Sequence, residues 1–208
     1  MTRKEASVTT MPEPEPEPRL HPLLRNRWSP QVWDATHEVT SADVESMLEA
    51  ARWAPSAGNS QPWAFIVGRR GDSTHPRLVH YLARSAAAWA PDASVLVANL
   101  CHRHVAGTDW EYSEFAAYDL GQAVAHMTFQ AEHLGLAARQ FAAFDREGLT
   151  REFAIDDHWY LTTMTAFGRI PPGVEPRAAA LPNGRLIARD RRTLADLRWD
   201  ASRHGHSE

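Results

Sequence analysis

Apolar residues recur three and four positions apart in two stretches of the chain, which is the spacing of one face of an α-helix. These stretches are Ala42–Trp53 and Glu114–Leu134. Thr40 and Asp43 have the spacing of a capping box at the start of the first helix, with Asp in place of the usual Glu or Gln. Gly135 stands where a helix-ending glycine is expected after the second. The pattern therefore predicts one helix of medium length and one long helix.

Four shorter runs, rich in branched and aromatic apolar residues, predict β-strands. These runs are Ala64–Gly68, Ala93–Cys101, Arg139–Phe144 and Tyr160–Phe167. The second run is apolar almost without interruption, which predicts burial on both faces of a sheet. Weaker patterns predict short helices at Pro76–Ser85 and Glu147–Ala154, and a weak helix or extended arm at Arg192–Trp199. Because strands and helices alternate irregularly, we expect an α+β fold with a central mixed sheet.

The two ends of the chain differ from its body. Residues 12–18 alternate Pro and Glu, a composition that can neither bury apolar area nor pair its backbone. We therefore expect a disordered tail over 1–19, one domain over 20–200 and a flexible tail over 201–208. The start of the chain lacks the apolar core of a signal peptide, and no run approaches the ~20 apolar residues of a membrane span. This predicts a cytoplasmic protein without a membrane partner.

Composition and charge narrow the class of protein further. With 43% hydrophobic and 23% charged residues, the 208-residue chain is typical of a globular protein able to bury a substantial core. The formal net charge of −4 argues against a nucleic-acid partner, which usually requires a basic patch. The single cysteine, Cys101, ends a predicted strand and is interpreted as a small buried residue rather than a reactive thiol.

Several familiar sites are absent from the sequence. It contains no dinucleotide-binding glycine motif, no P-loop, no nucleophile elbow and no standard zinc motif. His102 and His104 have the spacing to share one face of a strand, but no third metal ligand is evident. His204 and His206 are interpreted as residues of a loose tail. We therefore predict no metal site.

The most informative stretch is the loop 54–63, which lies between a predicted helix and a predicted strand and reads Ala-Pro-Ser-Ala-Gly-Asn-Ser-Gln-Pro-Trp. Its small residues and glycine let the backbone approach a ligand closely. Ser56, Asn59 and Gln61 supply hydrogen-bonding groups, and Trp63 supplies a flat surface. The alternative interpretation is a polar turn rich in turn-forming residues. The residue types alone leave both interpretations open.

The stretch Arg52–Val67, which contains this loop, closely resembles the signature of the nitroreductase family. Four further motifs resemble that family in the same order along the chain. They are Arg27–Trp33, Tyr118–Ala123, Phe144-Asp145 and Arg189–Leu194. The resemblance covers most of Leu23–Leu194. It implies a nitroreductase-like fold, with a mixed but mostly antiparallel sheet flanked by helices, in an intertwined homodimer that binds FMN.

The resemblance also implies which residues bind FMN. They are Arg27, Trp28, Ser29, Gln31, Arg189 and Arg191 from the opening and closing motifs, Pro55, Ser56, Ala57, Asn59 and Gln61 from the loop, and Gln140, Phe141, Ala142 and Ala143 from a strand at the ring edge. Arginine suits bidentate contact with the phosphate, although the late arginine cluster has a solvated surface run as its alternative. The loop would reach FMN that is bound mainly by the other subunit.

Four positions depart from the family pattern. Gln31 replaces a usual Lys or Arg, which implies one weaker charge contact with the phosphate, and Ala143 replaces a frequent Gly, which implies a tighter fit against the ring edge. Ala86 and Trp89 fall at about the positions where many members carry an Asn and a Lys or Arg that hydrogen-bond the pyrimidine end of the ring. The replacements at Ala86 and Trp89 imply weaker FMN binding, a shifted reduction potential or a substitute group from elsewhere in the chain. The alternative for Trp89 is an ordinary core residue.

The activity implied is electron transfer from NADH or NADPH, through FMN, to a nitroaromatic, a quinone or a similar small acceptor. The flavin performs the chemistry, so no side chain is required as a catalytic acid or base. Phe141 and the aromatic segment Trp110–Phe115 are expected to shape the acceptor pocket. Two alternatives stay open: an FMN-dependent dehydrogenase of a specific metabolite, and a flavin-binding protein without turnover. The replacements at Gln31, Ala86 and Trp89 motivate the second alternative.

Overall fold

An antiparallel sheet lies at the centre of the computed structural model, which describes residues 18–174 and 191–199. Its described strands are β1 (Trp63–Arg69), β2 (Val95–His102), β3 (Ala137–Phe141) and β4 (Trp159–Gly168). Their order across the sheet is β1-β2-β4-β3, so β1 and β3 form opposite edges. Every pairing between these described strands is antiparallel. The predicted α+β class is therefore confirmed, and none of the pairs described is of the parallel kind that a mixed sheet would contain.

Helices cover both faces of this sheet. The α-helices are α1 (Pro22–Asn26), α2 (Ser41–Arg52), α3 (Thr74–His80), α4 (Arg84–Ala87), α5 (Ala116–His133), α6 (Arg146–Glu152) and α7 (Leu194–Leu197), and 3₁₀ turns occur at Ala57–Asn59 and Ala90–Asp92. One face packs against α2 and α5 through an apolar cluster that includes Met47, Met127 and Phe167. The other face packs against α3, α4 and α6 through a cluster that includes Leu78 and Leu149. The central strand β2 is buried on both faces, as its unbroken apolarity predicts.

The two main helices begin and end where their sequence signals predict, within two residues. At the start of α2, the Thr40 hydroxyl accepts a hydrogen bond from the Asp43 N–H, and the Asp43 carboxylate accepts one from the Thr40 N–H. After α5, Gly135 has a φ of 74°, which glycine adopts without strain. The Leu136 N–H then donates to the Ala131 carbonyl at 2.9 Å and completes a Schellman motif.

Two predicted elements differ from the structure for one shared reason. The single helix predicted at Pro76–Ser85 is divided into α3 and α4, and the strand predicted at Arg139–Phe144 ends at Phe141. Between α3 and α4 the chain is extended, and Leu82 forms an isolated bridge with Phe144. The pairing continues as the Ala83 N–H donates to the Ala143 carbonyl at 3.0 Å. This long-range pairing replaces local helix and strand geometry, and it is not visible in the periodicity of either segment.

The ends of the chain are only partly described. The predicted tails, 1–19 and 201–208, lie outside the described residues except for Pro18 and Arg19. The arm predicted at Arg192–Trp199 contains the one-turn helix α7, which a Thr193–Asp196 capping box begins. Among the described residues, no helix is both long enough and apolar enough to cross a membrane.

Candidate functional site

The opening motif Arg27–Ser29 is fixed to the edge strand β3 by one arginine. Arg139 on β3 donates from Nη1 to the Ser29 carbonyl oxygen at 2.7 Å. Within the motif, the Arg27 Nη1 donates to the Ser29 hydroxyl at 3.3 Å. Two guanidinium groups and one hydroxyl therefore lie close together at the β3 edge. The segments that carry them are 110 residues apart in the chain.

Two aromatic rings complete this group. The Arg139 guanidinium carbon lies 5.1 Å from the centroid of the Trp89 ring, within the range of a cation–π contact. Trp89 in turn meets Phe141 of β3 edge-on, with ring centroids 5.0 Å apart. We call Arg27, Ser29, Trp89, Arg139 and Phe141 the Arg139 cluster. It combines cationic donors with flat apolar surface, which suits a ligand that is both anionic and aromatic.

Arg139 is the least satisfied member of the cluster. Its side chain is half-buried, and its Nε is buried without a hydrogen-bond partner among the residues the structure describes. Burial lowers the pKa of the guanidinium. Over the same described ranges, no carboxylate lies within ion-pair distance of Arg139. A desolvated cation without an anion is costly in free energy, so this arrangement favours binding of an anionic group.

The strand segment predicted at the ring edge divides into two parts. Phe141 ends β3 and is half-buried, whereas Gln140 is exposed and precedes it. Ala142 and Ala143 follow the strand, and the Ala143 carbonyl is already used by Ala83. Since β3 is an edge strand in the described sheet, its outer backbone groups remain available to a ligand.

The loop Pro55–Gln61 forms a second group, held by its own hydrogen bonds. The Ser56 hydroxyl accepts from the Gln61 N–H at 3.0 Å, and the Gln61 amide donates to the Asn59 side chain at 3.3 Å. Asn59 and Gln61 have positive φ angles of 56° and 47°, which residues with a Cβ rarely adopt. Such backbone persists only where the surroundings impose it, and it occurs most often at functional sites.

A buried carboxylate on α5 fixes this loop. Asp119 is 2% exposed, and its Oδ2 accepts from the Ala57 N–H at 2.9 Å while its Oδ1 accepts from the Gln122 amide at 3.3 Å. Beside the bond lies a cleft of about 330 Å³, close to the lower limit for ligand pockets. Its lining includes two large exposed rings, Phe115 (50% exposed) and Tyr118 (70%). The loop therefore presents a rigid, partly aromatic surface to solvent.

Within one chain the two groups do not come together. The loop precedes β1 at one edge of the sheet, and the Arg139 cluster lies on β3 at the other edge. Three strand spacings of about 4.8 Å separate these edges by about 14 Å. The register adds to this distance, because Phe141 lies level with Ile66 rather than with Trp63, where the loop ends. The residues predicted to bind one cofactor therefore lie in two separate groups within one chain.

The remaining predicted positions have mixed outcomes. Trp28 and Gln31 are half-buried beside the opening motif, and Arg191 is exposed just before α7. Arg189 lies outside the described residues. Ala86 and Trp89, at 1% and 8% exposed, belong to the core cluster on one sheet face, so the core interpretation of Trp89 is confirmed.

The segments expected to shape an acceptor pocket also lie apart. Phe141 belongs to the Arg139 cluster, whereas Glu111 and Ser113 line a separate cavity of about 330 Å³ beside Cys101. Cys101 is buried as predicted, and burial, followed by the nearby Asp119 charge, raises the pKa of its thiol. His102 is stacked between Tyr112 and Trp159. In the described part of the chain, no group of three or more His, Cys, Asp or Glu side chains could hold a metal ion.

Two residues of the candidate site were not among those predicted from the sequence, Arg139 and Asp119. Each carried a weak signal, because each is a charged residue inside an otherwise apolar stretch that folds into a core element. Charges at such positions are rarely buried unless they have a partner or a role. The partners, Ser29 and Ala57, are distant in sequence and could not be inferred from it.

Comparison with known proteins identifies the family of the chain. The model of the Nitroreductase family matches residues 24–100. A Streptomyces coelicolor protein, provisionally named an NADH dehydrogenase/NAD(P)H nitroreductase, is 31% identical over 164 residues, which cover 68% of this chain and 80% of that protein. The chain belongs to the nitroreductase family.

Solved structures of other proteins support membership of the nitroreductase family. A crystal structure described as an oxidoreductase containing FMN has a TM-score of 0.70 and 27% identity, and the match covers 79% of this chain and 83% of that one. A provisionally named nitroreductase from Desulfovibrio desulfuricans, crystallised in complex with FMN, has a TM-score of 0.67 and 26% identity over 88% of this chain and 98% of its own. The nitroreductase-like fold is thereby confirmed.

Proposed function

We propose that this chain is an FMN-dependent oxidoreductase that passes electrons from NAD(P)H to a nitroaromatic, a quinone or a similar small acceptor, and that it acts in the cytoplasm as a homodimer. The observation that carries the proposal is the Arg139 cluster, a half-buried cationic and aromatic group on a nitroreductase fold. The names of relatives support it, since they include NAD(P)H as donor and FMN as bound cofactor.

The residues of the cluster fit FMN chemically. FMN combines a phosphate dianion with a flat aromatic ring, and the chain has no glycine-rich phosphate loop. Arg27 and the Ser29 hydroxyl supply a cation and a hydrogen-bonding group for the phosphate. The unpartnered Arg139 Nε and the ring of Phe141 supply a donor and an apolar surface for the aromatic part. No acidic side chain of the described residues opposes this anionic ligand within the cluster.

The proposed homodimer follows from the separation of the Pro55–Gln61 loop and the Arg139 cluster, each of which would be one half of a site shared between two subunits. The Pro55–Gln61 loop is rigid, has a cleft beside it and carries exposed aromatic neighbours, yet lies at the sheet edge opposite the Arg139 cluster. A second copy of the chain would bring the loop of one subunit to the Arg139 cluster of the other. It would also cover large exposed rings such as Tyr118, which lines the cleft beside the loop.

In this proposal the protein binds the cofactor, orients it and excludes water from the site. When bound, FMN would supply the redox chemistry that couples oxidation of NAD(P)H to reduction of the acceptor. Arg27 and Ser29 hold the phosphate, and the edge of β3 with Phe141 fixes the position of the ring. Because donor and acceptor occupy the same place in turn, we expect ping-pong kinetics.

The test begins with the purified protein incubated with FMN and separated from free cofactor. We expect a yellow protein with the molar mass of two chains, whose flavin bands bleach anaerobically on addition of NADPH or NADH. The colour should return with 4-nitrobenzoate or 1,4-benzoquinone. Arg27→Gln should raise the Kd for FMN about tenfold and leave the Kd for riboflavin, which lacks the phosphate, nearly unchanged. Arg25→Gln, an exposed arginine two residues upstream, is the matched control and should change neither constant.

Contrary outcomes separate the alternatives. A yellow protein that neither donor bleaches would favour a dehydrogenase of a specific metabolite or a flavin-binding protein without turnover. A colourless protein that does not take up FMN would overturn the proposal. A monomer that binds FMN and turns over would overturn the shared site but not the activity.

A further inference from the structure

The starting observation is a half-buried cation with a hydrogen-bond donor that is not used. Arg139 lies on β3, half-buried, with a buried Nε that lacks a hydrogen-bond partner among the described residues. The proposed phosphate contacts, Arg27 and the Ser29 hydroxyl, do not need it. Its Nη1 is already used by the Ser29 carbonyl, so the unused donor edge of the guanidinium is the one that carries Nε.

The ring contacts of Arg139 place it on the aromatic side of the cluster. It lies over the face of Trp89, and Trp89 meets Phe141 edge-on. Trp89 falls at about a position where the family resemblance implies an amide or a cation near the pyrimidine end of a flavin. The guanidinium of Arg139 lies against the Trp89 ring and brings a cation to that place.

We propose that Arg139 is the residue that binds the pyrimidine edge of the flavin, the N1–C2=O side, and stabilises the negative charge that reduction places there. The inference rests on the proposed function. Arg139 supplies from β3 the cation that position 89 does not supply, and the Trp89 ring supports its guanidinium. Low exposure strengthens the effect, since a charge acts more strongly where water is excluded.

The experiment compares Arg139→Gln with wild type by measuring the Kd of both FMN and riboflavin, the Kd of sulfite for the flavin-loaded protein, and the reduction potential. Because the ring is common to both flavins, both Kd values should rise by the same factor, about tenfold. Sulfite adds to N5 and places negative charge on the N1–C2=O edge, so its Kd should also rise about tenfold. The potential should fall by about 30 mV, which is a tenfold change for a two-electron couple.

Matched variants make these outcomes specific. Arg77→Gln is the control. Arg77 also lies over an aromatic ring, that of Phe153, and donates to a backbone carbonyl, but it is not a member of the Arg139 cluster. It should leave all four quantities unchanged. Arg27→Gln is the reference for a phosphate contact, with an effect on FMN alone. Arg139→Lys keeps the charge but not the planar set of donors. Its reduction potential should stay close to the wild-type value, and its Kd for both flavins should rise about threefold.

Each contrary result is informative. If Arg139→Gln weakens FMN but not riboflavin and leaves the potential unchanged, Arg139 is a phosphate ligand and the inference is overturned. If it changes none of the four quantities while wild type is still bleached by NAD(P)H, the inference fails and the proposed function stands. If wild type takes up no flavin, both fail. If circular dichroism shows that Arg139→Gln does not fold, Arg139→Lys takes its place in the test. An unchanged Kd for riboflavin in that variant would overturn the inference.

Discussion

The hydrogen bond between Asp119 and the Ala57 N–H should hold the Pro55–Gln61 loop in its functional shape. We predict that Asp119→Ala lowers the free energy of unfolding and releases this loop. Asp119 is almost fully buried on α5, and its Oδ2 lies 2.9 Å from the Ala57 nitrogen, 62 residues away in the chain. The bond is therefore a long-range contact between a core helix and the loop.

The size of the effect follows from three contributions. A hydrogen bond to a charged acceptor contributes about 1.5–3 kcal/mol, and a carboxylate in the first turn of a helix adds about 0.3–1 kcal/mol. Alanine offsets part of this loss, because it favours the helix over aspartate by up to about 0.7 kcal/mol. The expected net loss for Asp119→Ala is about 1–3 kcal/mol. A loss at the upper end would be a large fraction of the stability of an ordinary domain.

Two measurements test the prediction. Urea unfolding at one fixed protein concentration gives the change in free energy, and the slope with urea should stay constant if only the contact is lost. Hydrogen exchange of the peptide that contains residues 55–61 should become faster in the variant, since the Ala57 amide loses its acceptor. Asp157→Ala is the control, because the Asp157 side chain is 97% exposed and its contact with His158 spans 4.0 Å. Its effect should stay within about 0.5 kcal/mol.

One pattern of results would refute this reasoning. If Asp119→Ala is as stable as Asp157→Ala and the loop exchanges at the wild-type rate, the carboxylate does not hold the loop. The positive φ angles of Asn59 and Gln61 would then have to be imposed from within the loop. A loss of stability without faster exchange would mean that Asp119 matters to α5 alone.

Two further predictions concern glycine contacts and pH. Gly68→Ala should destabilise the protein by about 1–3 kcal/mol, because the new Cβ would lie 2.7 Å from the backbone Cα of His75. At Gly121 on α5 a new Cβ meets nothing within 4 Å. Gly121→Ala should therefore stabilise the protein by about 0.8–1 kcal/mol, because alanine favours a helix over glycine. Urea unfolding of both variants checks this, and equal effects would contradict it. Burial lowers the pKa of His75 from its ordinary 6.5, so the folded state binds this proton less readily than the unfolded state. The stability that His75 contributes is present above about pH 6.5 and is lost as pH falls, and His75→Gln should flatten that fall in unfolding curves recorded between about pH 5 and 7.

Local signals were sufficient to predict the main elements. The Thr40–Asp43 capping box and Gly135 determine where α2 and α5 begin and end, because both act through hydrogen bonds to residues within five positions. The unbroken apolar run of β2 likewise identifies a strand that is buried on both faces. The elements placed wrongly are those shaped by distant pairing, such as the Leu82–Phe144 bridge that divides one predicted helix and shortens one predicted strand.

The candidate site was predicted in part. The motifs Arg27–Ser29 and Pro55–Gln61 were identified because they resemble the family signature, since their residue types alone also suit ordinary turns. The resemblance implied that the loop serves the other subunit. That the two groups lie at opposite edges of the sheet could not be predicted, because strand order is a property of the assembled sheet. Arg139 and Asp119 were missed for a related reason, because each acquires its role through a partner more than 60 residues away.

The sequence by itself determined the fold class, because periodicity and caps are local and are read directly from residue types. It also indicated the family, because its motifs resemble the family signature, and from that resemblance it predicted which residues could meet an anionic flavin. Only the tertiary structure decided that Trp89 belongs to the core, that Arg139 is a desolvated cation beside it, and that Asp119 holds the loop. The physical reason is that burial and pairing depend on which distant segments meet, and the free energy of a charge depends more on its surroundings than on its identity.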